Sequence, residues 1–597
     1  MLKVRPSILM EVLPEVCTMP LTPIKARALG EIAEAIPPAG VQKQLKLFLK
    51  PIFATLNEPR EEALSLEIET AAESLISCLE DDSLYDFISY IAREFDDATS
   101  CLGAAKFVQL FCKCTKLNFQ EHVDQLLSSI VSVFADAEGD CLQECWNAVN
   151  VIIKSIPKER HSLHVSSLKD AVISAREHER RKRHGGDLLV AGFCKPPRAL
   201  SAVLPIYLSG LLAGKNSEVR EKAAEGLGEL IDVTSLPSLK PSLAQITGPL
   251  IRILGDRYPW QVKLAILSSI QLLLKKAGLF LKPFVPQLQT TFLKSLHDAA
   301  SEVREKASEN LGQLARLTLR IDQLVKDLLN TMHTCSSEVK EACLMAVGEV
   351  VFNGPKAKLS PALVTQAGTD LKAIIARDED SGAVQRRAAF ALGQYGARCS
   401  GQELSSLLGG ICEQQSEHDM IALNSLLQHA LSNLNEANLF EKCIQTIQQN
   451  CGKKDSDTKV KVAEACGIIL LQEAGGESGS LPSLSLLSPC LTALLNASNN
   501  SEVLQAALDS LQKVAAVKHT LIAPILCDLL LTLSNLLGQV SGGPTKIAAE
   551  DLVGIALGIT EGPEKAFANL NALKKLDPAV KQLVSLSMLK KVAARTS

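Results

Sequence analysis

A repeated seven-residue segment constrains this chain more than any other feature. The segment Ser-Glu-Val-Arg-Glu-Lys-Ala begins at Ser217 and recurs unchanged at Ser301, 84 residues further on. A related segment at Trp260 lies midway, so the repeating unit is about 42 residues long. Partial copies of the same pattern begin at Ser337, Gly382, Thr458 and Ser501. A chain with this spacing is built from one small structural unit stacked many times.

The residues after Ser217 follow the periodicity of a helix. Val219, Ala223 and Leu227 are spaced by four residues, and Leu230 continues the same apolar stripe. Hydrophobic residues make up 47% of the chain and aromatic residues only 4%, a composition that favours helices over sheets. A helix–turn–helix unit of about 42 residues is typical of HEAT and armadillo repeats. The sequence therefore predicts an all-α solenoid of the HEAT/armadillo type, a superhelix of antiparallel helix pairs.

A glycine recurs nine residues after the valine of the repeat. The positions that fit this spacing or look equivalent are Gly30, Gly228, Gly312, Gly348, Gly393 and Gly467. Glycine inside a helix costs roughly 0.5–1 kcal/mol relative to alanine, so its recurrence needs a compensating gain. We predict that the two helices of each hairpin cross closely at this glycine.

One interruption divides the array. Residues 176–198 contain a run of bases, a pair of glycines and a pair of prolines, a combination typical of a loop. We predict an N-terminal HEAT array over 1–175, a basic Gly/Pro-containing loop over 176–198, a second array over 199–440, and C-terminal repeats with capping helices over 441–597. The bases of the loop are Arg180, Arg181, Lys182 and Arg183. A solvated linker is the favoured interpretation, with ribosomal RNA binding or a nuclear-localisation patch as alternatives.

No catalytic motif accompanies the repeat. Phosphate-binding glycine loops and the common protease, hydrolase and kinase motifs are missing from the sequence. His161 and His164 have no companion ligands nearby and are interpreted as surface residues. The 17 cysteines include no Cys-x-x-Cys; Cys141 and Cys145 are close but lack partners at zinc-site spacing, so we interpret the cysteines as buried thiols in a reducing compartment. We predict a protein that is not an enzyme, with no cofactor, metal or small-molecule substrate.

The charge and hydropathy of the chain limit the classes of partner that we expect it to bind. A net charge of −4 predicts no bulk attraction to nucleic acid or to an anionic membrane surface. No uninterrupted apolar stretch reaches 18 residues, so we predict no membrane-spanning helix.

Two bases one repeat apart mark a candidate binding surface. Helical projection places Arg252 opposite the apolar stripe that contains Leu250, and places Lys294 opposite the stripe that contains Leu288. Because they are 42 residues apart, the two bases should lie side by side on adjacent second helices of the repeat, which usually line the concave face. They suit an acidic partner surface, and two ordinary solvated bases are the alternative.

A family resemblance falls on the same stretch. The chain resembles the general control non-derepressible translational activators, very large ribosome-associated HEAT proteins, in the segments Ile246-Thr247-Gly248-Pro249-Leu250-Ile251-Arg252 and Leu281-Lys282-Pro283-Phe284. The resemblance is dense over 190–320, moderate over 566–592 and thin over 1–185. Family members are several times longer, so we expect this chain to be a C-terminal fragment or a truncated gene model.

The resemblance implies a cytoplasmic role in amino-acid starvation signalling. Members of this family bind the RWD domain of the protein kinase that phosphorylates the alpha subunit of translation initiation factor 2. The arginine of the shared motif, Arg252 here, is implicated in that contact, and we group Arg257 and Lys294 with it. Ribosome association of the longer protein is also implied, with the bases at 180–183 as possible contacts. A generic HEAT adaptor of the transport or phosphatase-scaffold type and an RNA-binding solenoid are the alternatives.

Overall fold

The computed structural model resolves the chain into helices in two compact units. It describes residues 6–58, 62–182, 188–195, 199–214, 216–254, 258–377, 380–414, 416–475, 482–496, 500–528, 532–533 and 543–556. The units divide between Thr318 and Leu319, a point that differs from the composition-based boundaries at 175 and 440. Within the described residues every regular element is a helix, which confirms the predicted all-α HEAT-type class.

Within its described residues the first unit contains eighteen α-helices. They are α1 (Pro6–Val16), α2 (Pro23–Ala35), α3 (Pro38–Lys43), α4 (Leu45–Asn57), α5 (Glu62–Ser77), α6 (Asp81–Glu94), α7 (Cys101–Cys114), α8 (Val123–Val133), α9 (Gly139–Ser155), α10 (Val165–Lys182), α11 (Ala191–Cys194), α12 (Leu204–Ala213), α13 (Ser217–Val233), α14 (Leu236–Leu239), α15 (Leu243–Ile253), α16 (Trp260–Ala277), α17 (Val285–Ser295) and α18 (Ser301–Ala315). Short 3-10 turns lie at Gln120–His122, Lys158–His164, Lys240–Ser242 and Gly278–Phe284.

The second unit repeats the same hairpin arrangement. Its helices in the described residues are α19 (Ile321–Thr334), α20 (Ser337–Asn353), α21 (Pro361–Ile375), α22 (Gly382–Gly396), α23 (Gly401–Gln414), α24 (Glu417–Glu436), α25 (Phe440–Cys451), α26 (Ser456–Gly475), α27 (Leu484–Asn496), α28 (Ser501–Asp528) and α29 (Pro544–Ala556). A 3-10 turn lies at Lys356–Lys358.

Helices of successive repeats stack in two layers. In the first unit α13, α16 and α18 pack on one another in one layer, while α12, α15 and α17 pack in the other. Short turns join α12 to α13 and α17 to α18, so α15 and α17 are the first helices of their hairpins. The sequence analysis placed them second and was wrong there, because a period does not reveal where each unit begins.

The recurrent glycine marks close approach between neighbouring repeats. A Cβ on Gly393 of α22 would lie 2.5 Å from the carbonyl oxygen of Ala422 in α24, and one on Gly467 of α26 would lie 2.7 Å from Ser510 of α28. These glycines do mark a close approach of two helices, but the predicted pair of helices was wrong. It occurs between stacked helices of the same layer, not within one hairpin as predicted, because same-layer helices are the ones pressed together over their whole length.

The stretch predicted to be a solvated loop is largely structured. Residues 176–182 continue α10 to its end at Lys182. Residues 188–195 are tied to two helix ends: the Val190 N–H donates to the Val233 carbonyl and the Gly192 N–H donates to the Phe134 carbonyl, each at 3.0 Å. The glycine pair and the proline pair of the predicted loop lie outside the described residues.

The middle of this tethered segment, residues 188–195, is also buried, at Val190, Gly192 and Phe193. Phe193 is fully buried and its ring packs edge-on against Phe134, with the centroids 5.2 Å apart. A Cβ on Gly192 would lie 2.1 Å from the Phe134 ring, so only glycine fits there. The linker interpretation was wrong for these residues, because the apolar side chains of the segment outweigh the charges that flank it.

The two paired histidines are buried, contrary to the prediction that they lie on the surface. His161 and His164 expose 7% and 5% of their area. His164 Nδ1 lies 2.7 Å from a carboxylate oxygen of Asp124, and His161 Nε2 lies 3.2 Å from the carbonyl oxygen of Ile156. The turn that carries both packs against α12. Burial is tolerated because each ring has a hydrogen-bond partner.

One helical stretch, Trp260–Ser295, is long and apolar enough by length and composition to cross a membrane. Half of its apolar window is buried within the protein, and a 3-10 turn with Gly278 at a φ of 40° interrupts it. Its first part is α16, which packs between α13 and α18. A buried core helix meets the same criterion, and the contacts of α16 are those of a core helix.

Candidate partner-binding surface

Helix α15 buries one side and presents the other to solvent. Ile246 and Leu250 are completely buried and Ile253 nearly so, as the helical projection predicts. Arg252 is exposed. The helix continues through Pro249; proline has no N–H to donate to the Gln245 carbonyl, which leaves that acceptor without its helical partner.

Helix α17 repeats this arrangement one period later. Leu288 and Phe292 are completely buried, while Lys294 is exposed in the last turn. The two helices pack on each other in the same layer. The sequence analysis therefore placed both bases correctly on outward faces of adjacent helices, although on the first helices of their hairpins.

Arg252 and Lys294 are the only charged side chains in their two helices. Neither forms an ion pair or a hydrogen bond with another described residue. Each lies in the last turn of its helix, where the helix dipole favours a cation by about 0.3–1 kcal/mol. The dipole explains why a base is tolerated there, but it leaves both side chains available to a partner.

The layer on the other side of the repeats differs in its charges. Lys169 of α10 pairs with Glu225 of α13, and Arg176 pairs with Glu229 of the same helix. Several charged groups on that side therefore have partners within the chain. An incoming acidic surface would have to displace these internal partners, whereas at Arg252 and Lys294 it would not.

Polar side chains accompany the two bases along the outward faces. Gln245 on α15 and Gln287 on α17 are both exposed, and they too are 42 residues apart. Thr290 lies one turn before Lys294 and is exposed. The sequence analysis missed these residues, although the repeat spacing that identified the two bases would have identified the glutamines as well. We call the outward faces of α15 and α17, with these five side chains, the basic ridge.

The other predicted contact residues are less accessible or cannot be placed. Lys182 pairs with Asp136, and Arg180 lies 3.6 Å from a carboxylate oxygen of Glu177. Arg181 is exposed at the end of α10. Arg183 and Arg257 lie outside the described residues. The basic run at the end of α10 is thus partly neutralised by the chain itself, unlike the basic ridge.

Stacked helical hairpins with an extended polar face define a HEAT-repeat scaffold, a class of protein that acts by binding along a surface. Two family models match the chain. One, described as "Stalled ribosome sensor GCN1-like, HEAT repeats", covers residues 8–197, and the other, "GCN1-like, C-terminal HEAT repeats", covers residues 417–571. The chain belongs to the GCN1-like family of HEAT-repeat proteins, which confirms the resemblance, and it is a scaffold and not an enzyme.

Similar proteins come from plants, animals and fungi. The chain is 31% identical over 588 residues to "Protein ILITYHIA" of Arabidopsis thaliana, a match that covers 96% of this chain and 21% of the relative. It is 34% identical to "Stalled ribosome sensor GCN1" of Homo sapiens over 55% of this chain and 12% of the relative. "eIF-2-alpha kinase activator GCN1" of Saccharomyces cerevisiae is 31% identical over 57% of this chain and 12% of the relative. The chain thus spans about a fifth or less of these relatives.

Solved structures with a similar chain path include nuclear transport receptors. "Kap95:Nup1 complex" is 12% identical and has a TM-score of 0.39, with 98% of this chain and 84% of that chain covered. An importin beta structure is 13% identical with a TM-score of 0.38, covering 97% of this chain and 76% of that chain. Similarity at this level says nothing about partners.

Proposed function

We propose that this chain binds the RWD domain of the kinase that phosphorylates initiation factor 2 alpha, through the basic ridge, and promotes activation of that kinase in the cytoplasm during amino-acid starvation. Arg252 and Lys294 make the charged contacts in this proposal, and Arg257, which follows α15 in sequence, is included with them. The chain contributes a surface and no chemistry.

The names of the relatives support the kinase as partner. The yeast protein and a Dictyostelium discoideum protein, 31% identical over 63% of this chain, are both named eIF-2-alpha kinase activators. Because the chain spans 14% or less of either relative, the activity is proposed for this chain and is not carried over with the family.

The proposed site rests on one observation: Arg252 and Lys294 lie one repeat apart on adjacent helices, and neither pairs with another residue that the structure describes. Exposed arginines with free guanidinium groups can form paired hydrogen bonds to a carboxylate, and they often contribute most of the energy of an interface. The neighbouring Gln245, Gln287 and Thr290 add donors and acceptors without adding an opposing charge. This combination favours an acidic, polar partner surface.

A binding measurement with purified RWD domain tests the proposal. Parent chain, Arg252→Ala and Lys294→Ala are compared by isothermal titration calorimetry at low and at physiological salt. We expect Arg252→Ala to weaken binding by about tenfold or more, equivalent to about 1.4 kcal/mol. Binding by the parent should weaken as salt rises, since it depends on charge.

Lys372→Ala is the matched control. Lys372 is an exposed base in the last turn of α21, the same kind of position in the second unit, and its replacement should leave binding unchanged. If Arg252→Ala and Lys372→Ala bind as the parent does, the basic ridge is not the site. If the parent does not bind the RWD domain at all, the assignment of the kinase as partner fails.

A further inference from the structure

Three cysteines from two neighbouring helices converge in the first unit. Cys101 begins α7, and Cys141 and Cys145 lie one turn apart near the start of α9. The sulfur of Cys101 is 3.2 Å from that of Cys141 and 3.6 Å from that of Cys145. All three sulfurs lie within 4.8 Å of one another. Cys101 and Cys145 are buried, and Cys141 is partly exposed.

The repeat brings these residues together. Cys101 and Cys141 are 40 residues apart, so they occupy nearly equivalent positions in consecutive units, and α7 packs on α9 in one layer. The sequence analysis judged Cys141 and Cys145 to lack companion ligands, because it compared them with motifs whose ligands are close in sequence. The missing companion comes from the adjacent repeat.

The cluster has both access and a suitable electrostatic environment. Cys101 and Cys141 line a cavity of about 890 Å³, together with Asp136, Glu138 and His178. Cys101 and Cys141 lie in the first turns of their helices, the end at which the helix dipole favours a negative charge. The site is therefore open to a small ion on one side and closed by the stacked helices on the other.

The spacing of the sulfurs fits a tetrahedral metal ion. Sulfurs bound at about 2.3 Å to one tetrahedral zinc ion lie about 3.8 Å apart, close to the separations at Cys101. Three thiolates packed this closely without a cation would repel one another, and a divalent ion removes that repulsion. We propose that Cys101, Cys141 and Cys145 form a three-thiolate zinc site, with the fourth position facing the cavity.

A zinc ion at this site would join two repeats. Its ligands would come from α7 and α9, so it would hold adjacent units of the stack together at their helix starts. Asp136, Glu138 and His178 line the same cavity but are paired within the chain, Asp136 with His178 and Lys182, and Glu138 with Lys195. Any of them that took the fourth position would have to leave its present partner. The proposal is independent of kinase binding, because the basic ridge lies on other helices.

The test uses the full chain, reduced and freed of metal, titrated with Zn2+ against a competing chelator. We expect the parent to bind one more equivalent of tightly held Zn2+ than Cys141→Ser, and to release protons as the thiols are deprotonated. Zn2+ affinity at the site should fall by more than about 100-fold in this variant, since loss of an outer-shell partner alone typically costs 10–100-fold. Serine suits the first turn of a helix, so Cys141→Ser should fold.

Cys114→Ser is the matched control, because Cys114 lies on α7 but outside the cluster. Cys101 and Cys114 lie at opposite ends of α7, about 20 Å apart along the helix, so the Cys114 thiol should not contribute to binding of the ion. With Co2+ as a probe, the parent and Cys114→Ser should show equal thiolate-to-metal charge-transfer absorption, and Cys141→Ser and Cys145→Ala should lose it. The proposal is overturned if Cys141→Ser holds as much Zn2+ as the parent, or if the parent holds none.

Discussion

The junction around residues 188–195 and the regular stack of α13, α16 and α18 differ in how their side chains pack. In the stack each helix packs on a counterpart about one period away, and in the neighbouring layer outward side chains such as Arg252 are exposed to solvent. At the junction a segment with only the four-residue helix α11 fills the space between α8 and α13, and Phe193 of that helix packs against Phe134. The stack tolerates change on its outer face, whereas the junction depends on individual side chains.

The chain offers a separate reporter for each region. It has two tryptophans: Trp146 in α9, whose indole N–H donates to the Ala199 carbonyl at 2.9 Å, and Trp260 at the start of α16. Variants with Trp260→Phe or Trp146→Phe leave one tryptophan each, so urea unfolding of the junction and of the stack can be followed separately. The four predictions below use these two backgrounds.

The largest effect is expected for Phe193→Ala. Removing a fully buried aromatic ring leaves a cavity, and we expect the free energy of unfolding reported by Trp146 to fall by about 3–5 kcal/mol. Phe280→Ala is the control, because Phe280 is 43% exposed and should cost far less. Equal losses in the two variants would show that the segment contributes no more than a surface side chain.

A smaller effect is expected for Gly192→Ala. The new methyl would collide with the Phe134 ring, and we expect a loss of about 1–3 kcal/mol at Trp146. In the stack, the atom nearest to a Cβ on Gly228 would be the Ser269 hydroxyl, at 2.9 Å, and not the carbons of a ring at 2.1 Å. Gly228→Ala should change the free energy of unfolding reported by Trp260 by less than about 1 kcal/mol. Alanine stabilises a helix relative to glycine, and this gain offsets the cost of the close contact. If Gly228→Ala lowered the free energy of unfolding as much as Gly192→Ala does, the stack would be no more tolerant of an added methyl group than the junction.

Ser269→Ala should produce a loss of about 0.5–1.5 kcal/mol in the stack. The Ser269 hydroxyl is buried and donates to the Ala224 carbonyl of the preceding repeat at 2.6 Å, so the variant removes one hydrogen bond between repeats. The Trp260 background reports the change. Ser268→Ala, next to it on α16, serves as the control, and a similar loss there would assign the effect to helix α16 as a whole.

The smallest effect is expected for Arg252→Ala and Lys294→Ala. Both side chains are exposed and neither pairs with another described residue, so the free energy of unfolding reported by Trp260 should change by no more than about 0.5 kcal/mol. These same variants are the ones expected to weaken RWD binding. A loss above about 1 kcal/mol would mean that the bases support the fold, and any binding defect would then need another explanation.

The repeat made the helical class and the orientation of individual side chains predictable from sequence. The burial of Leu250 and Leu288 and the exposure of Arg252 and Lys294 follow from a period of 3.6 residues within each helix and about 42 between helices. The order of the helices within a hairpin could not be predicted, because a periodic pattern has no marked origin. The burial of His164 was missed although its partner Asp124 lies 40 residues earlier.

The contacts of residues 188–195 could not be predicted from the sequence, for a different reason. Its neighbours in sequence are charged residues, glycines and prolines, which indicate a loop, while its partners Phe134 and Val233 belong to helices that end far from it in sequence. Local composition cannot report such contacts. The cysteine cluster could have been predicted in part. The 40-residue spacing of Cys101 and Cys141 is visible in the sequence, but it was not compared with the length of the repeat.

Contacts between consecutive repeats allow the protein to fold while it is being synthesised. Side-chain contacts such as Arg27 with Glu67 and Lys340 with Asp380 reach back only 40 residues. A ribosome adding roughly 5–20 residues per second needs about 2–8 seconds to complete a period of about 42, whereas a helix forms in about a microsecond. Each new hairpin can therefore pack on the one before it as soon as it emerges, and its apolar face is exposed to the cell only for the time needed to synthesise the next repeat.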